Sequence, residues 1–381
     1  MRRISALAIL VVLAALAPPV VAQQPSLKVG ALYNVTGGMS SIDAPGLNGA
    51  KLAVREWNAR GGVLGRRIVL AAEDGKTDQT VVATAMSRLI NVQKVVVVGG
   101  LNDSTFALAA GPIAQKARIP FVIAGATLPN LPDQIGDYAF MAPFTDDAQA
   151  FVGAIYTVRT LKAKRVWIMT DKAYDYTLTL TKFYKQKLLE LGGAVVAEDV
   201  YQSGDKDYSA QITRLRRISP APDALFISAV PDDIGLVVRQ IRSAGIKIPI
   251  VGGDGYDTEL LVKIPGKALA DNIHFTTHVS LTSKAPVVAS FVKAYTQAYR
   301  HGPENAFAAL GYDTFNLILD AVKRAGKADS QAIKAALEAT RGFRGVTGTI
   351  SFEGGRHVPK KSVTVIRVVK GVFQFAGETT P

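Results

Sequence analysis

Short apolar runs alternate along the chain with longer segments whose apolar residues recur at helical spacing, and glycine-rich or polar turns separate the two. Continuous β-branched runs are the mark of strands buried on both faces. On that pattern strands are expected over Leu27–Leu32, Arg67–Ala72, Val95–Val98 and Ile119–Ile123. Helices are expected over Leu47–Arg60 and Thr80–Ile90, and a third has Phe106, Ala109, Ala110, Ile113 and Ala117 on one face. Tyr33–Asp43 reads as a Gly- and Ser-rich loop, and Gly99-Gly100 as the break after the third strand. A strand–helix–strand unit this compact forces its strands to be parallel. The turns Gly99–Ser104 and Ala124–Thr127 then share one edge of the sheet, the edge at which open α/β sheets bind ligands.

A second round begins at Arg165. Strands are expected over Val166–Met169, Ala194–Asp199, Ala224–Ser228 and Ile248–Val251, with helices over Leu178–Leu191, Tyr208–Arg217 and Ile234–Ala244 between them. The rounds share a plan: a helix stopped by Gly-Gly before a strand (NARGGVLGRRIVL, LELGGAVVAED), then an Ile-Pro pair before a short buried strand (ARIPFVIAGAT, GIKIPIVGGDG). The pattern predicts an α/β fold of two similar doubly wound lobes. A further helix at Ala306–Ala325 and a hairpin of Ser362–Val369 with Val372–Phe375 imply that the chain crosses between lobes more than once. Hinges are expected near Phe144–Asp147, His274–Ser280 and Thr347–Gly354. Facing strand ends enclose a cleft, where a few polar groups decide what is bound.

Composition narrows the chemistry. A chain of 381 residues suits two domains. It has no cysteine, which excludes disulfides, thiolate catalysis and Cys-ligated metals. Arg2 and Arg3 precede an apolar run, Ala6–Ala17, that is too short to span a bilayer. With Val20 and Ala22 after it, residues 1–22 read as a signal peptide cleaved after Ala22; a membrane anchor is the alternative. The formal net charge of +13 is scattered along helix faces, as at Arg214, Arg216, Arg217, Lys360 and Lys361. No RNA-binding aromatic motif or zinc finger accompanies it, so it reads as solvated surface and not as a nucleic-acid footprint.

The strand ends supply the candidate site. Asn102, Asp103 and Ser104 open a helix, whose free N–H groups favour an anion such as a carboxylate; simple capping is the alternative. Asp103 carries its own charge and has to point away from an anion or accept a cationic group. Gly125, Ala126 and Thr127 either let a ligand approach the backbone or form a plain turn. Tyr174 follows the strand end at Asp171 and either covers a ligand's apolar part or lies on the surface. Asp254, between Gly253 and Gly255, either pairs with an ammonium group or makes an Asx turn. A phosphate-binding loop and a nucleophile elbow are missing, and no dinucleotide fingerprint follows Leu27–Leu32 or Val95–Val98. His274 and His278 lie in a strand-like context, HFTTHV, and read as structural. No catalytic residue, metal or cofactor is expected.

Taken in order, KVGALYNVTGG, NGAKLAVREWNARGGVLGRRIVL, EDGKTD, VVGGLNDSTFALAAGPIAQKARIPFVIAGAT, DKAYDY, DYSAQITRLRR and IPIVGGDG give the chain a resemblance. It resembles the leucine/isoleucine/valine-binding protein family, periplasmic solute receptors of ABC transporters with the type I binding-protein fold. The resemblance implies two lobes joined by three crossovers, 23–146 plus 277–350 forming lobe one and 147–276 plus 351–381 lobe two. It implies that an amino acid or small carboxylate is held by its carboxylate at Ser104 (or Asp103) and Thr127, with Gly125 assisting. Tyr174 then lies on the ligand and Asp254 on its ammonium group. The implied partner is a membrane permease and the implied location the periplasm; an exported sensor of the same fold is the alternative. Two residues depart from the family pattern. Asp103 stands where a small hydroxyl residue is usual, and Val230 stands near a family tyrosine.

Overall fold

The computed structural model describes residues 25–380. The expected signal peptide, residues 1–22, lies outside the described residues.

The first round runs β1 (Leu27–Tyr33), α1 (Ser40–Ala59), β2 (Ile68–Asp74), α2 (Gln79–Asn91), β3 (Val98–Gly100), α3 (Ser104–Ala117), β4 (Phe121–Ile123), α4 (Leu131–Ile135) and β5 (Ala139–Met141). Its strands form a parallel sheet in the order β2-β1-β3-β4-β5. All residues of β3, β4 and β5 are buried, as strands covered by helices on both faces must be. The winding reverses between β1 and β3, and at such a switch point the loops part and leave a crevice.

Helix α5 (Asp146–Ile155) opens the second lobe. It is followed by β6 (Arg165–Asp171), α6 (Asp175–Glu190), β7 (Ala194–Tyr201), α7 (Ser209–Arg216), β8 (Ala224–Ser228), α8 (Pro231–Ser243), β9 (Ile250–Gly252), α9 (Leu260–Lys263) and β10 (Ile273–Thr277). Strands β6 to β10 repeat the first sheet's order in parallel. The chain then returns to the first lobe as α10 (Pro286–Tyr299), α11 (Ala306–Ala325) and α12 (Ser330–Glu338), with α11 packed along α1 and on β3 and β4. A small hairpin of β11 (Phe343–Gly345) and β12 (Gly348–Ile350) precedes the last crossing. Strands β13 (Val363–Val369) and β14 (Val372–Thr379) then extend the second sheet antiparallel beside β10. The architecture is the expected one: two doubly wound lobes joined by three crossovers.

Several local expectations are corrected. Strand β3 starts at Val98 and includes the two glycines expected to end it. Gly100 has φ +138°, and a Cβ there would lie 1.9 Å from the Leu32 carbonyl oxygen. The strand therefore continues only because residue 100 has no side chain. Helix α1 starts at Ser40, inside the expected loop, and contains Pro45. Proline lacks the N–H that would reach the Ser41 carbonyl; that oxygen instead accepts a hydrogen bond from Asn305 Nδ2 at 2.8 Å. The third crossover is also displaced. Residues 351–358 were expected in lobe two, yet Phe352 is buried in the first lobe's core and its N–H donates to the Thr340 carbonyl at 3.0 Å. His357 stacks on Phe140 with ring centroids 4.0 Å apart.

Candidate functional site

The carboxyl ends of the two parallel sheets face each other, and the loops that follow them touch across the cleft. Asp175 at the start of α6 donates its N–H to Thr105 Oγ1 at 3.1 Å, and that hydroxyl donates to Asp175 Oδ2 at 3.2 Å. Thr258 Oγ1 donates to Ser41 Oγ at 3.0 Å, and Ala306 N–H to Asp257 Oδ2 at 3.1 Å. Behind these contacts the walls close on a narrow cavity of about 10 Å³, the room of a single water. The first lobe lines it with Met39, Ile42, Asn102, Asp103 and Phe307, the second with Tyr176, Val230, Pro231, Asp254 and Gly255.

On the first wall the polar groups come from the turn after β3. Asp103 has extended backbone and is the N-cap of α3; its Oδ1 accepts the Thr105 N–H at 2.9 Å. A helix of this length leaves amide protons free at its start, and Asp103 supplies the anion for them. Burial pushes its carboxyl up to about 7, while the Thr105 and Phe106 N–H groups pull the other way. Asn102 Nδ2 donates to the Ile42 carbonyl at 3.2 Å and lies against the Asp43 carboxyl. Two acceptors on that side fix the amide's orientation. Asn102 Oδ1 is buried with no hydrogen-bond partner among the described residues, and so are Asp43 Oδ1 and the Tyr33 hydroxyl. Asp43 accepts the Asn34 N–H at 2.6 Å, and burial raises its carboxyl to about 8.

The second wall is organised by Gln149 on α5. Its Nε2 donates to Asp254 Oδ1 at 2.9 Å and to Asp146 Oδ1 at 3.1 Å. Its Oε1 accepts the Thr276 hydroxyl at 2.9 Å and the Asp254 N–H at 3.1 Å. His278 Nε2 lies 2.9 Å from Asp254 Oδ2, and burial lowers the imidazole's pKa. Burial thus disfavours the charged ring, and the Asp254 carboxylate oxygen accepts from the Nε2–H tautomer. The Tyr176 hydroxyl accepts the Gly255 N–H at 3.1 Å. Of the ten lining residues none is Lys or Arg, so both walls offer carboxylates and hydrogen-bond acceptors to whatever enters.

Of the residues singled out in the sequence, Asp103 and Asp254 line the cavity. Ser104 is buried and its hydroxyl accepts the Leu128 N–H at 3.1 Å, tying the start of α3 to the loop after β4. Thr127 is buried at the foot of the first crossover, where its carbonyl accepts the Asp146 N–H at 2.7 Å. Gly125 backs onto Asn102, whose Oδ1 would lie 2.4 Å from a Cβ at that position. Ala126 is buried in the first lobe's core. Tyr174 packs edge-on against Phe106, ring centroids 6.2 Å apart, and the tyrosine that reaches the cavity is Tyr176. Sequence reasoning also missed Gln149, Met39, Ile42 and Phe307.

The family model described as periplasmic binding protein matches residues 26–372. The Leu/Ile/Val-binding protein BraC3 of Rhizobium johnstonii is 28% identical over 327 residues, covering 86% of this chain and 87% of that protein. Among solved structures, the branched-chain amino acid transporter substrate-binding protein LivJ of Streptococcus pneumoniae, in complex with isoleucine, is 32% identical with a TM-score of 0.88, covering 93% of this chain and 100% of that one. The leucine-binding protein LivK of Thermotoga maritima is likewise 32% identical, with a TM-score of 0.86 over 93% of this chain and 99% of that one.

Proposed function

The chain belongs to the periplasmic binding protein family, in the branch of the Leu/Ile/Val-binding proteins, and from that premise we propose that it is the exported receptor of an ABC transporter. It binds a small amine-bearing solute, the class that includes amino acids, between its lobes and presents the closed form to a membrane permease. One observation carries this reading: a cavity lined by five residues of each lobe, with the buried Asn102 Oδ1 on its first wall unpartnered among the described residues. A ligand that touches both walls stabilises the closed form by its differential affinity for it. In this reading Asp254 holds the ligand's amine. Gln149 and His278 each take one of its oxygens, and every carboxylate oxygen retains a second lone pair for an N–H donor. No helix of the described residues is long and apolar enough to cross a membrane.

The test is a thermal-shift screen of protein refolded to strip any carried solute. The panel holds amino acids, amines, amides and aromatic carboxylates. A solute at a thousand times its dissociation constant stabilises by roughly 4 kcal/mol, a shift of several degrees. Such a shift, abolished by Asp254→Ala, is the expected result. No shift with any solute defeats the receptor reading.

A further inference from the structure

The two walls of the cavity are more informative together than either is alone. A ligand carboxylate entering the first lobe would seek the start of α3, where helix N–H groups converge. In this chain that position is filled from within. Asp103 is 4% exposed, caps the helix and takes the Thr105 N–H with its own Oδ1. A second anion would meet Asp103 at close range in a cavity without Lys or Arg. Ser104, the nearby hydroxyl, is committed to Leu128. The adjacent lining residue, Asn102, turns its donor Nδ2 away to Ile42 and leaves Oδ1, an acceptor, unpartnered although the residue is 6% exposed. Asp254 presents a carboxylate from the opposite wall. Met39, Ile42, Val230 and Phe307 supply an apolar seat between them.

We propose that the cleft is built for a solute with an apolar tail, a cationic amine and a second hydrogen-bond donor, and that Asp103 excludes solutes bearing a free carboxylate. An α-amino amide fits this description, whereas an α-amino acid places a carboxylate against Asp103. The proposal rests on the receptor reading above and narrows its ligand class. Above about pH 7, where the Asp103 carboxyl is ionised, both partners of the α3 amides are anions, so the side chain at 103 and a ligand carboxylate are mutually exclusive. The selectivity therefore comes from a repulsive element as well as an attractive one.

Leucinamide and leucine test this directly, because they share tail and amine and differ only in amide against carboxylate. Calorimetric titration of refolded protein at pH 8, where the Asp103 carboxyl is ionised, should give leucinamide at least about a tenfold advantage in affinity over leucine. In Asp103→Ser the cap survives, because serine also caps helices well, and the self-supplied anion is removed. The leucinamide-to-leucine preference should then fall by at least about tenfold. Leucine binding as tightly as leucinamide in the unaltered protein overturns the proposal, as does a preference that Asp103→Ser leaves unmoved. In either case the receptor reading stands. Binding of an aromatic carboxylate with neither leucine compound bound also overturns the ligand class and keeps the receptor. Silence across the whole panel overturns both.

Discussion

The third crossover and the cleft bury the same kinds of side chain and treat them in opposite ways. At the hinge, Lys361 on the third crossover donates from Nζ to the Ala142 carbonyl on the first crossover at 3.0 Å and to Thr347 Oγ1 at 2.6 Å. Thr347 in turn donates to Asp313 Oδ2 at 2.7 Å, and Asp313 accepts the N–H groups of Val346 and Thr347, both at 2.8 Å. Cation, hydroxyl and carboxylate form one connected chain, as a buried charge requires. In the cleft, Asp43 and Asp103 are as deeply buried and have no cation beside them, and Asp43 Oδ1 and Asn102 Oδ1 have no partner among the described residues. The Lys361 chain is satisfied within the protein, although on the first crossover Asp146 Oδ2 and Asp147 Oδ1 are also without a partner among the described residues. Asn102, which lines the cavity, keeps an acceptor able to serve something else, and Asp43 lies behind it.

That contrast is broken most forcefully at Lys361. Burial lowers its ammonium to about 8 and raises the Asp313 carboxyl. Lys361→Met would strand Asp313 without a cation, and removing one partner of a buried pair costs about 3–5 kcal/mol. Urea melts should show a loss of that size. Lys361→Met combined with Asp313→Asn should recover a good part of it, since two neutral groups leave no uncompensated charge. Equal losses in the single and double variants would mean that the hinge chain is packing alone.

Much of this was legible in the sequence, and the failures have physical causes. Ala224–Ser228 and Ala306–Ala325 fall where periodicity places them, because each is apolar enough to declare its period without help. The start of α1 was illegible because Pro45 and Gly46 read locally as a turn, and what rescues the helix, Asn305 on the Ser41 carbonyl, lies 264 residues away. Asp103 and Asp254 were legible because strand ends on one edge converge. The sequence points to Tyr174 and not to Tyr176 because a loop reading does not say which of two nearby tyrosines faces inward. Once α6 starts at Asp175, Tyr176 sits on its first turn and reaches the Gly255 N–H. Gln149 gave one usable signal, a polar residue beside Ala150, Val152, Gly153 and Ala154 on a buried helix face.

Asp43 tests the other half of the contrast. Its carboxyl rises from an ordinary 3.8 to about 8, mainly through burial. Between those values the folded chain holds a proton that the unfolded chain has released. The stability this group contributes is full below about pH 4 and is lost as pH rises through 8. Asp103 nearby, raised to about 7, acts in the same direction, and the Tyr33 hydroxyl stays protonated throughout. Asp43→Asn fixes the neutral state. Melts at pH 5 and pH 8 should therefore show the parent losing on the order of 4 kcal/mol more than the variant between them. Identical pH slopes would place Asp43 with the satisfied hinge groups.

The smallest effect belongs to the seam where the lobes touch. Thr105 and Asp175 exchange two hydrogen bonds across the cleft mouth, and neither bond lies within one lobe. Thr105→Val keeps the side chain's shape and removes both. Each lobe's core is untouched, so urea melts of the solute-free protein should barely move. The closed form alone loses the contact, about 0.5–1.5 kcal/mol. The affinity for whichever solute of the panel stabilises the parent should then fall roughly three- to tenfold. A fall in stability with unchanged affinity would make the seam part of the fold, like the hinge, and not part of closure.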